Sequence, residues 1–299
     1  MISVLILTLN EEANLDDCIG SLPWRDDVFV LDSGSTDSTL EISVRCGANV
    51  VTRPFTNYAE QRNFGFALPF RGEWIVSLDA DERMTPDLAA EIEREIAGAD
   101  ATTAMFRVRR KDMFMGRWIR RSSGYPTWFP RIFRRGRVRV EREINEAYVA
   151  DGLARQLKGH IHHHPFNKGL DWWFERHNRY SSMEARALAA ERAAPLKLSA
   201  LASGDPTRRR AALKSLAYRM PGRPLLVFVY LYFVRRGFLD GVAGYRFASL
   251  RRTYELMIDA KTTYNRYLAH QARYEAGRSK LPAINASPEN PHSESRGAP

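Results

Sequence analysis

Short hydrophobic runs alternate with amphipathic stretches along the first part of the chain. Four runs are typical of strands buried on both faces of a parallel sheet, at Ser3–Thr8, Val28–Leu31, Asn49–Thr52 and from Trp74 onward. Helical spacing of apolar residues predicts helices between them, from Asn14, from about Asp37 to Arg45, and from about Tyr58 to Leu68. This alternation predicts an α/β fold with a doubly wound, mainly parallel sheet.

Polar and acidic side chains follow three of the predicted strands. Asn10, Glu11 and Glu12 follow the first strand, Asp32 follows the second, and Asp79 and Asp81 follow the fourth with one residue between them. Because ligands bind beyond the carboxyl ends of parallel strands, we expect these side chains to share one edge. Mg²⁺ prefers carboxylate oxygens, with substrate phosphates and water completing its shell. The pattern therefore predicts a metal and phosphate site, although an isolated pair of this kind more often forms a turn or a helix cap.

Four motifs occur in a fixed order along the first part of the chain. They are LTLNEE at Leu7–Glu12, VLDSGSTD at Val30–Asp37, QRN at Gln61–Asn63 and LDADE at Leu78–Glu82. In this order and spacing they resemble the family-two glycosyltransferases, most closely the bacterial lipopolysaccharide-core β-glycosyltransferases. The match covers about the first hundred residues well and extends more weakly to about Tyr180. The resemblance implies a GT-A-like fold, a nucleotide-diphosphate-sugar donor, Mg²⁺ or Mn²⁺, and inversion at the anomeric carbon.

The resemblance also implies roles for residues within these motifs. Asp32 would accept hydrogen bonds from the base or ribose, Asp79 would contact ribose or metal, and Asp81 would bind the metal that bridges the diphosphate. Arg62 would add positive charge near that leaving group, or else form an ion pair with a neighbouring acid. The first motif would line the nucleotide pocket with Thr8, Asn10, Glu11 and Glu12, although this pattern is also an ordinary helix start.

An inverting transfer needs a base that takes the proton of the acceptor hydroxyl. The segment Val138–Tyr148 is predicted to form a hairpin and carries Glu141, Glu143 and Glu146. In the lipopolysaccharide-type relatives this region presents His-Glu, and Asn145 with Glu146 aligns with that pair. The resemblance therefore implies Glu146 as the base, with Glu143 as the reserve candidate. Since Asn145 replaces the histidine, any orienting role of that histidine is open here.

A run of histidines, His160–His164, interrupted only by Ile161, follows the hairpin. Imidazoles at alternate positions share a strand face, but this run lacks the carboxylate, cysteine or remote histidine of a closed structural zinc site. The resemblance implies instead that His162 or His164 reaches the metal or the sugar phosphate, with a core or acceptor-side role as the alternative. The aromatic residues of Trp172–Tyr180 are predicted to pack in the core or to contact the acceptor.

The net charge of +10 is unevenly distributed along the chain. Residues 1–106 carry 7 basic and 19 acidic side chains, residues 107–142 carry 13 and 2, and residues 208–252 carry 11 and 1. A bound cation would relieve the acidic half, and the basic segments are expected to face an anionic acceptor or membrane. Nucleic acid is a competing partner on charge alone, but neither basic segment matches a recognised nucleic-acid module.

The C-terminal third contains a ten-residue apolar run, Leu225–Val234. This run is too short to span a bilayer, which takes about 20 apolar residues. With arginines on both sides, it favours helices lying in the headgroup region of an anionic membrane. A helical hairpin packed on the catalytic domain or on a dimer partner is the alternative. Residues 208–276 are thus predicted as a basic amphipathic, membrane-associating helical region, and 277–299 as a disordered tail.

These features predict a catalytic domain at 1–207, with a nucleotide-sugar half at 1–106 and an acceptor half at 107–207. No export signal precedes the first strand, and Cys18 and Cys46 lie in predicted helices, which indicates reduced thiols in a cytoplasmic protein on the inner face of the cell membrane. The predicted function is inverting, metal-dependent hexose transfer from a nucleotide sugar to a lipid-linked or cell-envelope glycan. A polyprenyl-phosphate sugar synthase, a sugar nucleotidyltransferase and a non-catalytic binder are the alternatives.

Overall fold

The computed structural model describes residues 1–141, 147–193, 216, 220 and 222–278. In chain order the strands are β1 (Ile2–Thr8), β2 (Val28–Asp32), β3 (Asn49–Thr52), β4 (Trp74–Asp79), β5 (Glu82–Arg83), β6 (Thr103–Phe114), β7 (Arg117–Trp118), β8 (Trp128–Arg134), β9 (Val138–Glu141), β10 (Ala147–Ala150) and β11 (Leu153–His163). The helices are α1 (Leu15–Gly20), α2 (Thr39–Arg45), α3 (Tyr58–Phe66), α4 (Pro86–Ala97), α5 (Gly169–Ala193), α6 (Arg223–Val229) and α7 (Gly241–Arg278). A π-helical turn at Tyr230–Val234 and a 3-10 turn at Gly237–Asp240 connect α6 to α7.

The central sheet is parallel in its first half and mixed in its second. Its strands follow the spatial order β3, β2, β1, β4, β8, β6, β11 and β5, with β7 paired to β6. Strands β1 to β4 are parallel to one another, whereas β8 runs antiparallel to both β4 and β6. The predicted α/β class and the parallel first half are confirmed. No hydrophobic run predicts β6 and β8, because arginines interrupt both strands.

Two hydrophobic layers cover the two faces of the sheet. Successive residues of a strand point to opposite faces, so Val4 packs with Leu88 of α4 on one face and Leu5 packs with Ile75 on the other. Helix α3 approaches the second face at Gly65, where a Cβ atom would lie 2.7 Å from Leu5 Cδ2. Burial of one such aliphatic side chain contributes about 1.5–3 kcal/mol. These layers hold the carboxyl ends of β1, β2 and β4 together at one edge.

The predicted hairpin is formed by β9 and β10, which pair antiparallel with Tyr148 opposite Val140. Asn63 of α3 holds β9 in place: its Nδ2 donates to the carbonyl oxygen of Val140, and its Oδ1 accepts from the Val140 backbone N–H, each at 2.8 Å. Glu143 and Glu146, the candidate bases, lie outside the described residues. The hairpin that contains them is thereby attached to the helix that carries the QRN motif.

The C-terminal helices belong to two compact units. Met1–Tyr180 and Met220–Leu256 form the first, and residues 181–219 and 257–299 belong to the second, of which 181–193, 216 and 257–278 are described. In the second unit, Lys261 Nζ donates to the hydroxyl groups of Ser181 and Ser182 at 2.8 Å each. The boundaries predicted at 207 and 276 stay predictions, and residues 279–299 of the predicted tail lie outside the described residues. Within the described ranges, no helix is both long and apolar enough to cross a bilayer.

Candidate functional site

The first two motifs meet at the edge formed by β1 and β2. Thr8 is the register partner of Asp32, and its hydroxyl donates to Asp32 Oδ1 at 2.9 Å. The other oxygen of Asp32 accepts the backbone N–H groups of Gly34 and Ser35 at 2.8 and 2.7 Å, and the Ser35 hydroxyl donates to Oδ1 at 2.5 Å. Asp32 is fully buried and holds the β2–α2 turn. Its hydrogen bonds to base or ribose stay a prediction.

The β1–α1 loop is joined to this turn by backbone contacts. Asn10 has a positive φ of 54°, and its Oδ1 accepts the Thr36 backbone N–H at 2.8 Å. The backbone N–H groups of Glu11 and Glu12 donate to Thr39 Oγ1 and Asp37 Oδ2, respectively. The two loops therefore form one surface beyond the strand ends.

Glu11 connects this surface to the start of α5. Its carboxylate lies 2.5 Å from Lys168 Nζ, and the Lys168 ammonium also lies 4.4 Å from the centroid of the Trp172 ring. Burial raises the pKa of Glu11, and the charge of Lys168 opposes that shift only in part. Lys168 thus contributes a cation to the edge that carries the predicted nucleotide residues.

Asp79 lies between two guanidinium groups. Arg62 Nη2 binds its Oδ1 at 2.7 Å, and Arg131 Nη2 binds its Oδ2 at 2.6 Å. Arg131 also binds Glu82, which is fully buried, through Nε at 2.7 Å and Nη2 at 2.8 Å. Burial raises the pKa of Asp79, but the charges of Arg131 and Arg62 outweigh this effect and hold the pKa well below its usual value. Of the two roles considered for Arg62, the ion pair with a neighbouring acid is present.

Asp81, the second aspartate of the motif, lies next to a histidine of β11. His163 Nε2 is 3.3 Å from Asp81 Oδ2, and His163 Nδ1 is 2.7 Å from Asp112 Oδ1. Burial lowers the pKa of His163, but the carboxylates of Asp81 and Asp112 outweigh it and raise the pKa to about 9. Burial raises the pKa of Asp81, but the charge of His163 outweighs this effect and holds the pKa of Asp81 below its usual value.

The neighbouring histidines point elsewhere or contribute backbone atoms. His164 donates its backbone N–H to the carbonyl oxygen of Asp81 at 2.7 Å, and a role of its side chain at the metal stays a prediction. His160 and His162 lie with their rings 5.4 Å apart, and burial lowers the pKa of both. Because successive side chains of a strand point to opposite faces, His163 lies on the other face of β11 from these two, which is the face turned to Asp81.

A divalent cation fits the chemistry of Asp81. Mg²⁺ and Mn²⁺ prefer carboxylate oxygens and are commonly held by one or two protein carboxylates together with substrate phosphates. Of the two aspartates of the motif, Asp81 pairs with His163, whereas both oxygens of Asp79 bind guanidinium groups. In the part of the chain that the structure describes, no three His, Cys, Asp or Glu side chains form a group able to hold an ion.

All four motifs lie in a region that matches the model of one protein family. The model of Glycosyl transferase family 2 matches residues 3–157. This protein belongs to that family. The resemblance expected from the four motifs is confirmed.

Some relatives of this family-two glycosyltransferase match about a third of the chain, and one relative matches most of it. An uncharacterized glycosyltransferase of Rickettsia bellii (strain RML369-C) is 40% identical over 93 residues, which are 31% of either chain. The lipopolysaccharide core biosynthesis glycosyltransferase LpsC of Rhizobium meliloti (strain 1021) is 26% identical over 269 residues, 87% of this chain and 91% of LpsC. The first relatives are thus matched over about a third of their length.

A solved structure is similar over a shorter region. Glucosyl-3-phosphoglycerate synthase from Mycobacterium tuberculosis, in complex with Mn²⁺, UDP and glucosyl-3-phosphoglycerate, is 26% identical over 37% of this chain and 44% of that chain, with a TM-score of 0.33.

Several charged residues of this family-two glycosyltransferase lie at the site although no motif predicts them. They are Arg131, Asp112, His163 and Lys168. His163 could have been found from the strand alternation of the histidine run, because the face opposite His160 and His162 is the one turned to Asp81. No sequence signal separates Arg131 from the other basic residues of 107–142, since its partners are set by the antiparallel pairing of β8 with β4.

Proposed function

We propose that this glycosyltransferase moves a hexose from a nucleotide-diphosphate sugar to a lipid-linked or cell-envelope glycan of the lipopolysaccharide-core or exopolysaccharide type, with inversion and with Mg²⁺ or Mn²⁺. The main support is the position of Asp79 and Asp81 at the same sheet edge as the Thr8–Asp32 pair, in a member of family two. The acceptor class is supported by the similarity to LpsC over most of the chain.

In this proposal the donor lies over the loops that follow β1, β2 and β4. The loop residues Asn10 to Glu12 line the nucleotide pocket, and Asp79, fixed by Arg62 and Arg131, faces the ribose. Asp81 would hold the metal, with Asp79 and His164 as the further candidate ligands. When bound there, such an ion would supply positive charge for the leaving diphosphate. His163 and Asp112 hold the Asp81 carboxylate in place through the contacts of 3.3 and 2.7 Å.

The proposed base is Glu146, with Glu143 in reserve. Both belong to the segment between β9 and β10, and Asn63 fixes β9 through two hydrogen bonds to Val140. Asn63 directly follows Arg62, which binds Asp79. A base carried by this hairpin is therefore coupled through α3 to the residue proposed to face the ribose.

The proposed location is the anionic inner face of the cell membrane. Large apolar side chains are exposed along α6, the turns that follow it and the start of α7: Leu225, Tyr230, Phe233, Val234, Phe238, Leu239 and Val242. Arg236 and Arg246 lie within the same segment. Apolar side chains beside arginines are the composition that binds the headgroup region of anionic membranes.

The proposed function is tested by incubating the protein with labelled nucleotide sugars, a divalent metal and a membrane extract. We expect metal-dependent transfer from one donor of the panel. Glu146→Gln should lower transfer about 100-fold or more while leaving donor binding intact, because a general base contributes on the order of 10²–10⁴ in rate. Glu141→Gln is the matched control, since Glu141 is an exposed residue of β9 paired with Arg139.

Three results would contradict the proposal. Donor binding without transfer or hydrolysis would indicate a non-catalytic binder. Full activity of Glu146→Gln toward a polyprenyl phosphate would indicate a sugar synthase, whose anionic acceptor needs no strong base. Formation of a nucleotide sugar from a sugar phosphate would indicate a nucleotidyltransferase.

A further inference from the structure

A small cavity lies beside His163, and all the residues that line it come from position 110 onward in the chain. Its volume is about 120 Å³, and its walls come from β6, β11, α5 and α7 of the first compact unit. Its polar and aromatic walls include Arg110, His163, Arg176, His177, Phe247 and Arg251. None of the lining residues comes from 1–106, the part of the chain that carries the nucleotide motifs.

The cavity is strongly basic. Three arginines and His163 line it, with Asp112 as the carboxylate among the lining residues. Arg110 is partly neutralised, because its Nε lies 3.2 Å from Asp112 Oδ1. Arg251 lies 3.8 Å from Glu255, a distance at which the pair is weak. Positive charge therefore exceeds negative charge around this small volume.

Arg176 differs from Arg110 and Arg251 in having no carboxylate partner within ion-pair distance among the described residues. Its guanidinium lies 4.5 Å from the centroid of the Trp172 ring and 5.7 Å from that of Tyr180. Its Nε is buried, and in the described part of the chain it has no hydrogen-bond partner. Its charge also acts on Asp81, whose pKa it helps to lower. The two aromatic rings hold the group in position, and the buried Nε has no hydrogen-bond partner among the described residues, which leaves a donor available to a ligand.

The size and walls of the cavity separate it from the donor site. Pockets that enclose a whole organic ligand measure about 300–1,000 Å³, so a volume of about 120 Å³ takes one substituent and not a nucleotide. His163 is in contact with Asp81 and also lines the cavity. A group bound there would therefore be separated from Asp81, the proposed metal ligand, by the imidazole ring of His163.

We propose that Arg176, together with Arg110 and Arg251, binds a phosphate group carried by the acceptor. Guanidinium groups bind phosphate through paired, charge-assisted hydrogen bonds, and an excess of positive charge suits a dianion. The inference rests on the proposed function, because it names the acceptor class for the same site. It makes Arg176 a specificity-determining residue that positions the acceptor next to the donor sugar.

The test uses inorganic phosphate as the probe and tryptophan fluorescence as the readout, since Trp173 lines the cavity and Trp172 contacts Arg176. Phosphate should change the fluorescence of the full-length wild-type protein. Arg176→Gln should weaken the apparent affinity about tenfold, because a charged hydrogen bond is lost. Arg176→Lys keeps the charge without the planar fork and should fall between the two. Arg179→Gln is the matched control, because Arg179 is exposed on the same helix.

Saturation with the preferred nucleoside diphosphate and Mn²⁺ distinguishes the two possible phosphate sites. Phosphate binding that persists under saturation, and remains sensitive to Arg176→Gln, supports the acceptor site. Phosphate that is displaced by the nucleotide overturns it, as does equal affinity in Arg176→Gln and Arg179→Gln. Because this readout needs no transfer, a protein that fails the transfer assay but binds phosphate through Arg176 would refute the proposed function and leave the phosphate site standing.

Discussion

At the scale of single residues, the donor edge is held by arginines that bind more than one acid. Arg131 has a 5% exposed side chain and binds both Asp79 and the fully buried Glu82. Removing one partner of a buried ion pair leaves an uncompensated charge, which costs more than the pair itself contributes. The site therefore depends on Arg131 for its structure as much as for its charge.

Arg131→Gln should lower the free energy of unfolding by about 3–5 kcal/mol, because it leaves the carboxylate of Glu82 buried without its partner. Urea denaturation measures this change. Arg139→Gln is the control, since Arg139 is two-thirds exposed and its pair with Glu141 is exposed as well, so a change within about 1 kcal/mol is expected. Equal stability of the two variants would contradict the role given to Arg131.

The same network sets part of the acid sensitivity of the fold. The ordinary pKa of Asp79 is 3.8 and its pKa in the folded protein is lower. Its ion pairs therefore stabilise the fold above about pH 4, and this contribution is lost as the pH falls further. Arg131→Gln should show a shallower loss of stability below pH 4 than the wild type.

Residue identities at the site could be predicted only where a motif names them. Asp79 and Asp81 were predicted from the strand end, and the structure places both at the expected edge. His163 was missed because the run was considered at the alternate positions of His160, His162 and His164. Which acid pairs with Arg62 depends on packing between α3 and β4, which no local pattern encodes.

At the scale of elements, hydrophobic runs predict the parallel strands and fail for the basic ones. Strand β2 is buried throughout, so its sequence is continuous and apolar. Strand β6 combines a buried first third with several arginines, of which Arg110 lies near Glu82 and Asp112, so its pattern is neither continuous nor strictly alternating. The mixed half of the sheet was therefore not predictable in detail, because its strands carry both buried apolar residues and charged residues, which obscures the hydrophobic pattern.

The exposed apolar side chains between α6 and α7 carry a prediction at this scale. The wild type should sediment with vesicles that contain anionic lipids, and Phe233→Ser combined with Val234→Ser and Leu239→Ser should weaken binding at least tenfold, because each of these side chains loses apolar area to bury in the membrane. Leu153→Ser is the matched control, since Leu153 is 59% exposed on β11 and lies outside this segment.

Two outcomes would contradict membrane binding. One is a wild-type protein that does not bind anionic vesicles. The other is a dimer in sedimentation that the triple variant dissociates while vesicle binding is unchanged. That result would favour the alternative in which this segment packs against a second copy.

At the scale of the whole molecule, acidic and basic residues are concentrated in different segments of the chain. The acidic residues 1–106 form the edge proposed to bind the metal and donor, and the basic segments line the neighbouring cavity and the apolar surface. Family membership explains the first part, because the match at residues 3–157 includes all four motifs. The second part is the one proposed to bind the acceptor.

The proposed transfer depends most on a metal held by Asp81 that couples the donor to the protein. Calorimetric titration of nucleoside diphosphates, with and without Mn²⁺, into the wild type, Asp81→Asn and Asp87→Asn tests this directly. Asp87 is an exposed acid of α4 and serves as the control. We expect Mn²⁺ to strengthen nucleotide binding by the wild type and Asp87→Asn, and to have no effect in Asp81→Asn. Undiminished metal-dependent binding by Asp81→Asn would contradict the account.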